Sequence, residues 1–230
     1  MTRLILASQS PSRRKVLEQA GVEYEVQVSA VDEAAVVEAA SAGDPLTAAE
    51  TALLLARAKA EAVAALPASR GALVLGCDSV FELDGVSYGK PHHVEVAFQR
   101  WQQMRGRTGT LHTGHWLVSA ETASTTAKHS WMGVGAMASG PLGVPESTLS
   151  SAGETVSSQV SFSDAPDEQI RAYAESGEAL QCAGAFTLEG RGAALISRVE
   201  GDPNAVIGLS PAALNRLLGQ LGRSITDFWT

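Results

Sequence analysis

Cysteine is scarce in these 230 residues: Cys77 and Cys182 are the only two. Two thiols are too few for a disulfide framework. No apolar run approaches the ~18 residues that a membrane helix requires. The opening stretch, Met1 to Ser8, lacks the long apolar core and cleavage site of a secretion signal, and its apolar residues read as a buried strand. These absences lead to the expectation of a cytoplasmic protein with no membrane partner. Positive charge is also in short supply. Lys and Arg number 17 against 25 Asp and Glu, a formal net charge of −8. A general nucleic-acid binder needs a basic face to replace counterions, so no stable nucleic-acid partner is expected. A small anionic substrate is not excluded, because a cleft can be locally basic on an acidic protein.

What is present is apolar residue in quantity, 45% of the chain, enough for one large domain or two lobes sharing a core. Strand and helix signals alternate, which gives an α/β class. After the first strand, Ser10-Pro11 opens a helix with a capping residue and a proline in its first turn, and Gly21 stops it. Tyr24 to Val31 alternates like a strand and ends in Asp32-Glu33. Residues 46–66 predict a long helix, and Ala72 to Gly76 a buried strand running into Cys77-Asp78-Ser79. Val80 to Leu83 and Val86 to Tyr88 flank Asp84-Gly85, a hairpin signal. A helix is expected at about 94–104, strands at about 110–119 and 156–162, and a helix from Pro166 to Ser176. A Gly-rich strand region at 184–200 and a last helix from Pro211 to Leu221 complete the pattern. Residues 120–154, rich in Ser, Thr, Ala and Gly, read as an irregular insertion in a single domain spanning 1–230.

Three groups of residues point to chemistry. Arg13, Arg14 and Lys15 crowd the first turns of a helix, where the partial positive charge of the N-terminus disfavours cations. A bound anion would reverse that sign, and a strand feeding a serine-flanked turn, here Ser8 and Ser10, is a recurrent phosphate site. Solvated arginines beside an ordinary cap are the alternative. Asp78 follows a continuous apolar strand, where a carboxylate is costly to bury without partners. Such a group can bind Mg²⁺ or Mn²⁺ or accept a proton from water; a turn cap is the alternative. Lys59, on an alanine-rich helix, and Lys90, in the rigid Gly-Lys-Pro loop, could each reach a phosphate as a point charge, or be surface lysines. Two other signals are set aside. Gly133 to Ala138 formally matches a dinucleotide fingerprint but lacks a clean preceding strand. His112 and His115, three apart on a strand, point to opposite faces and are not expected to share a metal.

Taken in order, these segments resemble the Maf family of nucleotide pyrophosphatases, in its actinobacterial flavour. The matching stretches are Leu6-Ala-Ser-Gln-Ser-Pro-Ser-Arg-Arg14, Asp32-Glu33, Ala58-Lys59-Ala60, Gly76-Cys77-Asp78-Ser79 and Gly89-Lys90-Pro91. Gly106-Arg107-Thr108 with Thr113-Gly114, then Ala183 to Phe186 with Glu189 to Gly192, and Val206 to Leu209 complete them. The resemblance implies a two-lobed α/β fold of the Maf/ITPase-like kind, with a mixed sheet and a nucleotide cleft between the lobes. It implies hydrolysis of a nucleoside triphosphate to monophosphate and pyrophosphate with a divalent cation, clearing non-canonical or surplus nucleotides. Asp78 would be proton acceptor or metal ligand and Glu33 a metal ligand. Lys59, Lys90 and Arg13 would stabilise charge on the leaving pyrophosphate. Ser8, Ser10, Arg14, Ser79 and Gln181 would bind substrate, and a homodimer is compatible with the family.

The sequence also departs from the family pattern. Ser12 separates Ser10-Pro11 from Arg13-Arg14, and the family's usual Asp-Lys before Ala-Gly-Ala is Gln181-Cys182, which removes one acid and one base. Ser79 stands where thymidine- and uridine-specific members often carry Thr. Two alternatives stay open: a non-catalytic nucleotide-binding regulator of cell division, and a phosphatase that removes the terminal phosphate.

Overall fold

The first strand of the chain is apolar because both of its faces are covered. Leu4, Ile5 and Leu6 are buried on both faces, as a strand covered by helices on either side must be. In the computed structural model, which describes residues 2–41, 45–120 and 151–230, the elements run in chain order as follows. The N-terminal part contains β1 (Arg3–Leu6), α1 (Pro11–Gln19), β2 (Glu25–Val26), α2 (Glu33–Ala40) and α3 (Ala48–Ala64). The middle holds β3 (Ala72–Leu83), β4 (Val86–Tyr88), α4 (Val94–Met104), β5 (Thr108–Ser119) and β6 (Ser151–Phe162). The C-terminal part holds α5 (Asp167–Glu175), β7 (Ile196–Glu200), α6 (Pro203–Ile207) and α7 (Pro211–Gln220).

One mixed sheet has the order β2-β1-β3-β5-β6-β7, with β4 also on β3. β1 pairs in parallel with β2 and β3, and the remaining pairs are antiparallel. β5 covers one edge of β3 from Leu73 to Glu82. The other edge is shared: β1 pairs with residues Ala72 to Leu75, and β4 with Phe81 to Leu83. Between these two neighbours, residues 76–80 of β3 have no strand partner on this edge among the described residues, which leaves it open. Two apolar clusters lie to either side of it. Leu4, Leu6, Leu75, Leu117, Leu214 and Leu217 belong to one. Phe81, Trp101, Phe162, Tyr173 and Phe186 belong to the other, with ring pairs at 5.1–5.7 Å in edge-to-face geometry.

α3 lies directly on the sheet because glycine leaves room for it. A Cβ at Gly76 would come within 2.1 Å of the Ala56 carbonyl oxygen, and one at Gly114 within 2.3 Å of that of Ala52. A capping box between Thr47 and Glu50 starts this helix. The expected hairpin is present, with Asp84 at φ 52° and Gly85 at φ 77°, the left-handed pair that a two-residue hairpin turn demands.

Several expectations are corrected. The strand expected over Tyr24 to Val31 shrinks to β2, because β1 ends at Leu6 and the ladder has no further partner. Asp32-Glu33 is not a strand end: the Asp32 carboxylate accepts the Ala35 N–H at 3.1 Å and caps α2. β3 does not stop at Gly76 but continues through Asp78 to Leu83. β6 begins at Ser151, so residues 151–154 are strand rather than insertion. Only 196–200 of the expected strand region at 184–200 forms a strand. Left-handed residues Gly184, Ala185 and Gly190 turn the rest into 3-10 segments. The dinucleotide-like Gly133 to Ala138 stretch lies outside the described residues. The two histidines do face apart: His112 meets Ser157, whereas His115 is buried with Nε2 accepting the Ser210 N–H at 2.8 Å.

Candidate active site

The open edge of β3 exposes both faces of one strand to a single cleft. Consecutive side chains alternate, so Asp78 faces the α3 side while Ser79 faces the side of α1 and α6. The cleft holds about 690 Å³ and is lined by residues of the Ala7–Arg13 turn, Glu33, Lys59, Asp78, Ser79 and Lys90. Glu178, the Gln181–Ala183 segment, Phe186, Thr187 and Val206 to Gly208 also line it.

On the α3 side, Lys59 reaches between two carboxylates. Its Nζ lies 2.6 Å from Asp78 Oδ1 and 2.8 Å from Glu33 Oε1. The side chains of Lys59 and Asp78 are only 11% and 13% exposed. Burial raises the Asp78 carboxyl above the ordinary carboxylate range, against the pull of Lys59 and Arg13. Burial acts the same way on Glu33, but there the hydrogen bond and charge of Lys59, with Lys90 and Arg13, win and hold it low. The two carboxylates that share Lys59 are thus pushed in opposite directions, Asp78 up and Glu33 down.

On the other face, Arg13 is held by three segments at once. Nε donates to the Gly208 carbonyl at 2.8 Å, Nη1 to Ser8 Oγ at 3.1 Å and Nη2 to Ser79 Oγ at 3.4 Å. A guanidinium has five N–H donors, so two remain for an anion. Ser10 caps α1, its side chain accepting the Arg13 N–H, and Ser8 Oγ accepts the Ser10 N–H at 3.2 Å. The turn therefore presents the N-terminus of α1 to the cleft. Lys90 is exposed on a loop anchored to the far side of the cleft, where His92 N donates to the Leu180 carbonyl at 3.0 Å and Gly184 N to that of Gly89 at 3.3 Å.

Of the residues singled out from the sequence, Ser8, Ser10, Arg13, Glu33, Lys59, Asp78, Ser79, Lys90 and Gln181 all line this cleft. Arg14 is not on its wall; its Nη2 donates to the Gln9 carbonyl at 3.4 Å. Sequence reasoning missed Glu178, Phe186 and Thr187. Glu178 accepts the N–H groups of Arg191 and Gly192 at 3.0 and 2.9 Å and so shapes the 3-10 segment beside the cleft. No periodicity marks this region, and only the Gly-rich composition hinted at its turns. At Cys182, burial, then the charge of Glu178, pushes the thiol up.

The Maf-like protein family matches residues 3–221. A nucleoside triphosphate pyrophosphatase of Streptomyces avermitilis is 47% identical over 228 residues, 99% of this chain and 95% of that one. Its counterpart in Streptomyces coelicolor is 48% identical over 227 residues, 99% and 94% of the two chains. One from Thermosynechococcus vestitus is 42% identical over 227 residues, 99% and 98%.

Proposed function

Because the chain belongs to the Maf-like protein family, we propose that it is a nucleoside triphosphate pyrophosphatase, hydrolysing its substrate to a nucleoside monophosphate and pyrophosphate. The observation that carries this reading is the Lys59 ammonium held between Asp78 and Glu33 on one wall of a cleft whose other wall offers Arg13. In this reading the triphosphate lies along the open edge of β3. A water attacks the α-phosphorus, giving its proton to the Asp78 carboxylate as the bond to the bridging oxygen breaks. The raised proton affinity of Asp78 suits a general base. Lys59 keeps the carboxylates apart from the incoming phosphate charge, and Arg13 and Lys90 receive the charge that develops on pyrophosphate.

A divalent cation, Mg²⁺ or Mn²⁺, belongs to the proposal. Asp78 and Glu33 converge on one point, the ammonium they share, and one or two carboxylates completed by substrate phosphates is the usual donor set for Mg²⁺. Among the described residues no group of three or more His, Cys, Asp and Glu is gathered for a metal; substrate phosphates would complete the donor set of these two carboxylates. Formal charges in the cleft support this. Lys59, Lys90 and Arg13 are balanced by Glu33, Asp78 and Glu178, which leaves a triphosphate short of counter-charge. When bound, the cation supplies that neutralisation and polarises the phosphate.

A cytoplasmic homodimer acting on free nucleotides, with no nucleic-acid partner, completes the proposal; among the described residues no helix is long and apolar enough to cross a membrane. Product analysis by phosphorus NMR tests it on a panel of canonical and modified triphosphates with Mg²⁺ or Mn²⁺. Pyrophosphate is the expected product, and Asp78→Asn is expected to lose at least about a hundredfold in kcat. Orthophosphate as first product would identify a terminal phosphatase. Equal, negligible turnover by both proteins would leave a nucleotide-binding regulator.

A further inference from the structure

We propose that Thr113 is a positioning residue for Arg13, acting through Ser79 along a hydrogen-bond chain whose direction is fixed; the inference rests on the pyrophosphatase reading above. Thr113 stands opposite Ser79 in the β3–β5 register and is fully buried. Its Oγ1 lies 2.7 Å from the Ala205 carbonyl oxygen, which can only accept. A hydroxyl has one hydrogen, and that of Thr113 is spent there. The 2.9 Å contact between Ser79 Oγ and Thr113 Oγ1 must then carry the hydrogen of Ser79. Ser79 is left with lone pairs alone to offer Arg13 Nη2, which can only donate. Donation runs one way, from Arg13 to Ser79, to Thr113, to Ala205.

Both ends of this chain meet the same segment. Ala205 belongs to α6, and Gly208, just past its end, accepts from Arg13 Nε at 2.8 Å. A Cβ at Gly208 would lie 3.3 Å from Arg13 Nε and 3.7 Å from Ser79 Oγ, so the guanidinium is also closed in by backbone on that side. Without the Thr113 hydroxyl, Ser79 is free to turn its hydrogen towards the cleft. Its lone pairs would then no longer be held towards Arg13 Nη2, and the two N–H groups left for phosphate would lose their aim.

The test compares pyrophosphate release and melting temperature for wild type, Thr113→Val, Thr113→Ser, Ser79→Ala and the Thr113→Val/Ser79→Ala double variant. Thr113→Val is expected to lower kcat/KM about tenfold, and Thr113→Ser to stay within about twofold of wild type. In the Ser79→Ala background Thr113→Val should cost no further kcat/KM, although both changes lower the melting temperature. An equal fold-loss with and without Ser79, or wild-type kcat/KM in Thr113→Val, overturns the proposal. Should Thr113→Val not fold, Ser79→Ala cuts the next link, and unchanged kcat/KM there overturns it equally. A wild-type protein that releases no pyrophosphate sinks the enzymatic reading instead. The Arg13 Nε–Hε NMR signal, which needs no substrate, then decides the chain: sharp in wild type and broadened in Thr113→Val supports it, and equally sharp in both overturns it.

Discussion

Lys59 is the residue on which the two carboxylates of the cleft depend. Its charge opposes the effect of burial at Asp78, and at Glu33 its hydrogen bond and charge, joined by Lys90 and Arg13, overcome burial. Replacing it with Met would leave two carboxylates facing each other with no cation between them. A general base works ionised, so any further rise in the Asp78 pKa demands a higher pH for activity. Lys59→Met is therefore expected to move the acidic limb of the kcat/KM profile to higher pH and to lower kcat by about a hundredfold; a pH–rate profile with an unmoved limb would contradict the coupling. His115 makes a second prediction at this scale. Burial drives its pKa down to about 4, the positive charge of Arg13 adding to the effect. The unfolded chain takes up the proton near 6.5. Stability should therefore be intact above pH 6.5 and fall as pH drops towards 4, by about 2 kcal/mol at pH 5. Urea midpoints at pH 7 and pH 5 should differ less in His115→Gln than in wild type. An equal pH dependence would show that the proton binds elsewhere.

Elements set the distances on which those residues act. α3 delivers Lys59 to Asp78 because Gly76 and Gly114 have no Cβ to hold it away. Gly76→Ala would force the helix outward, at a cost of roughly 1–3 kcal/mol in overpacking. Both a lower denaturation midpoint and a large loss of kcat/KM are expected; a folded variant of wild-type activity would refute the close-approach argument. The helices were legible in the sequence where local chemistry marks their ends, as Ser10-Pro11 does for α1 and Ser210-Pro211 for α7. α2 was not, because the Asp32 cap looks like a solvated strand end until its bond to Ala35 is seen. Tyr24 to Val31 has the alternation of a strand, but pairing is a property of the neighbour, and β1 is too short to supply it. The 184–200 segment misleads for a related reason: its glycines mark left-handed turns, which apolar patterning does not register.

At the scale of the whole molecule, the cleft exists because β1 and β4 share one edge of β3 and leave residues 76–80 between them uncovered. That gap brings together residues far apart in the chain: Ser8 and Arg13 from one end, Glu33 and Lys59 from the helices beside it, and Gln181 and Gly208 from the other end. The motifs legible in the sequence are the charged ones, which stand out against apolar strands and helices. Glu178, Phe186 and Thr187 were not legible, since they belong to turns whose geometry comes from tertiary contacts such as Glu178 with the Arg191 and Gly192 N–H groups. The central claim is that the Asp78 side of this gap directs water to the α-phosphorus. Hydrolysis in oxygen-18 water tests it most directly. The account predicts the label in the nucleoside monophosphate and none in the pyrophosphate; label in pyrophosphate or orthophosphate would mean attack at a different phosphorus and would contradict it.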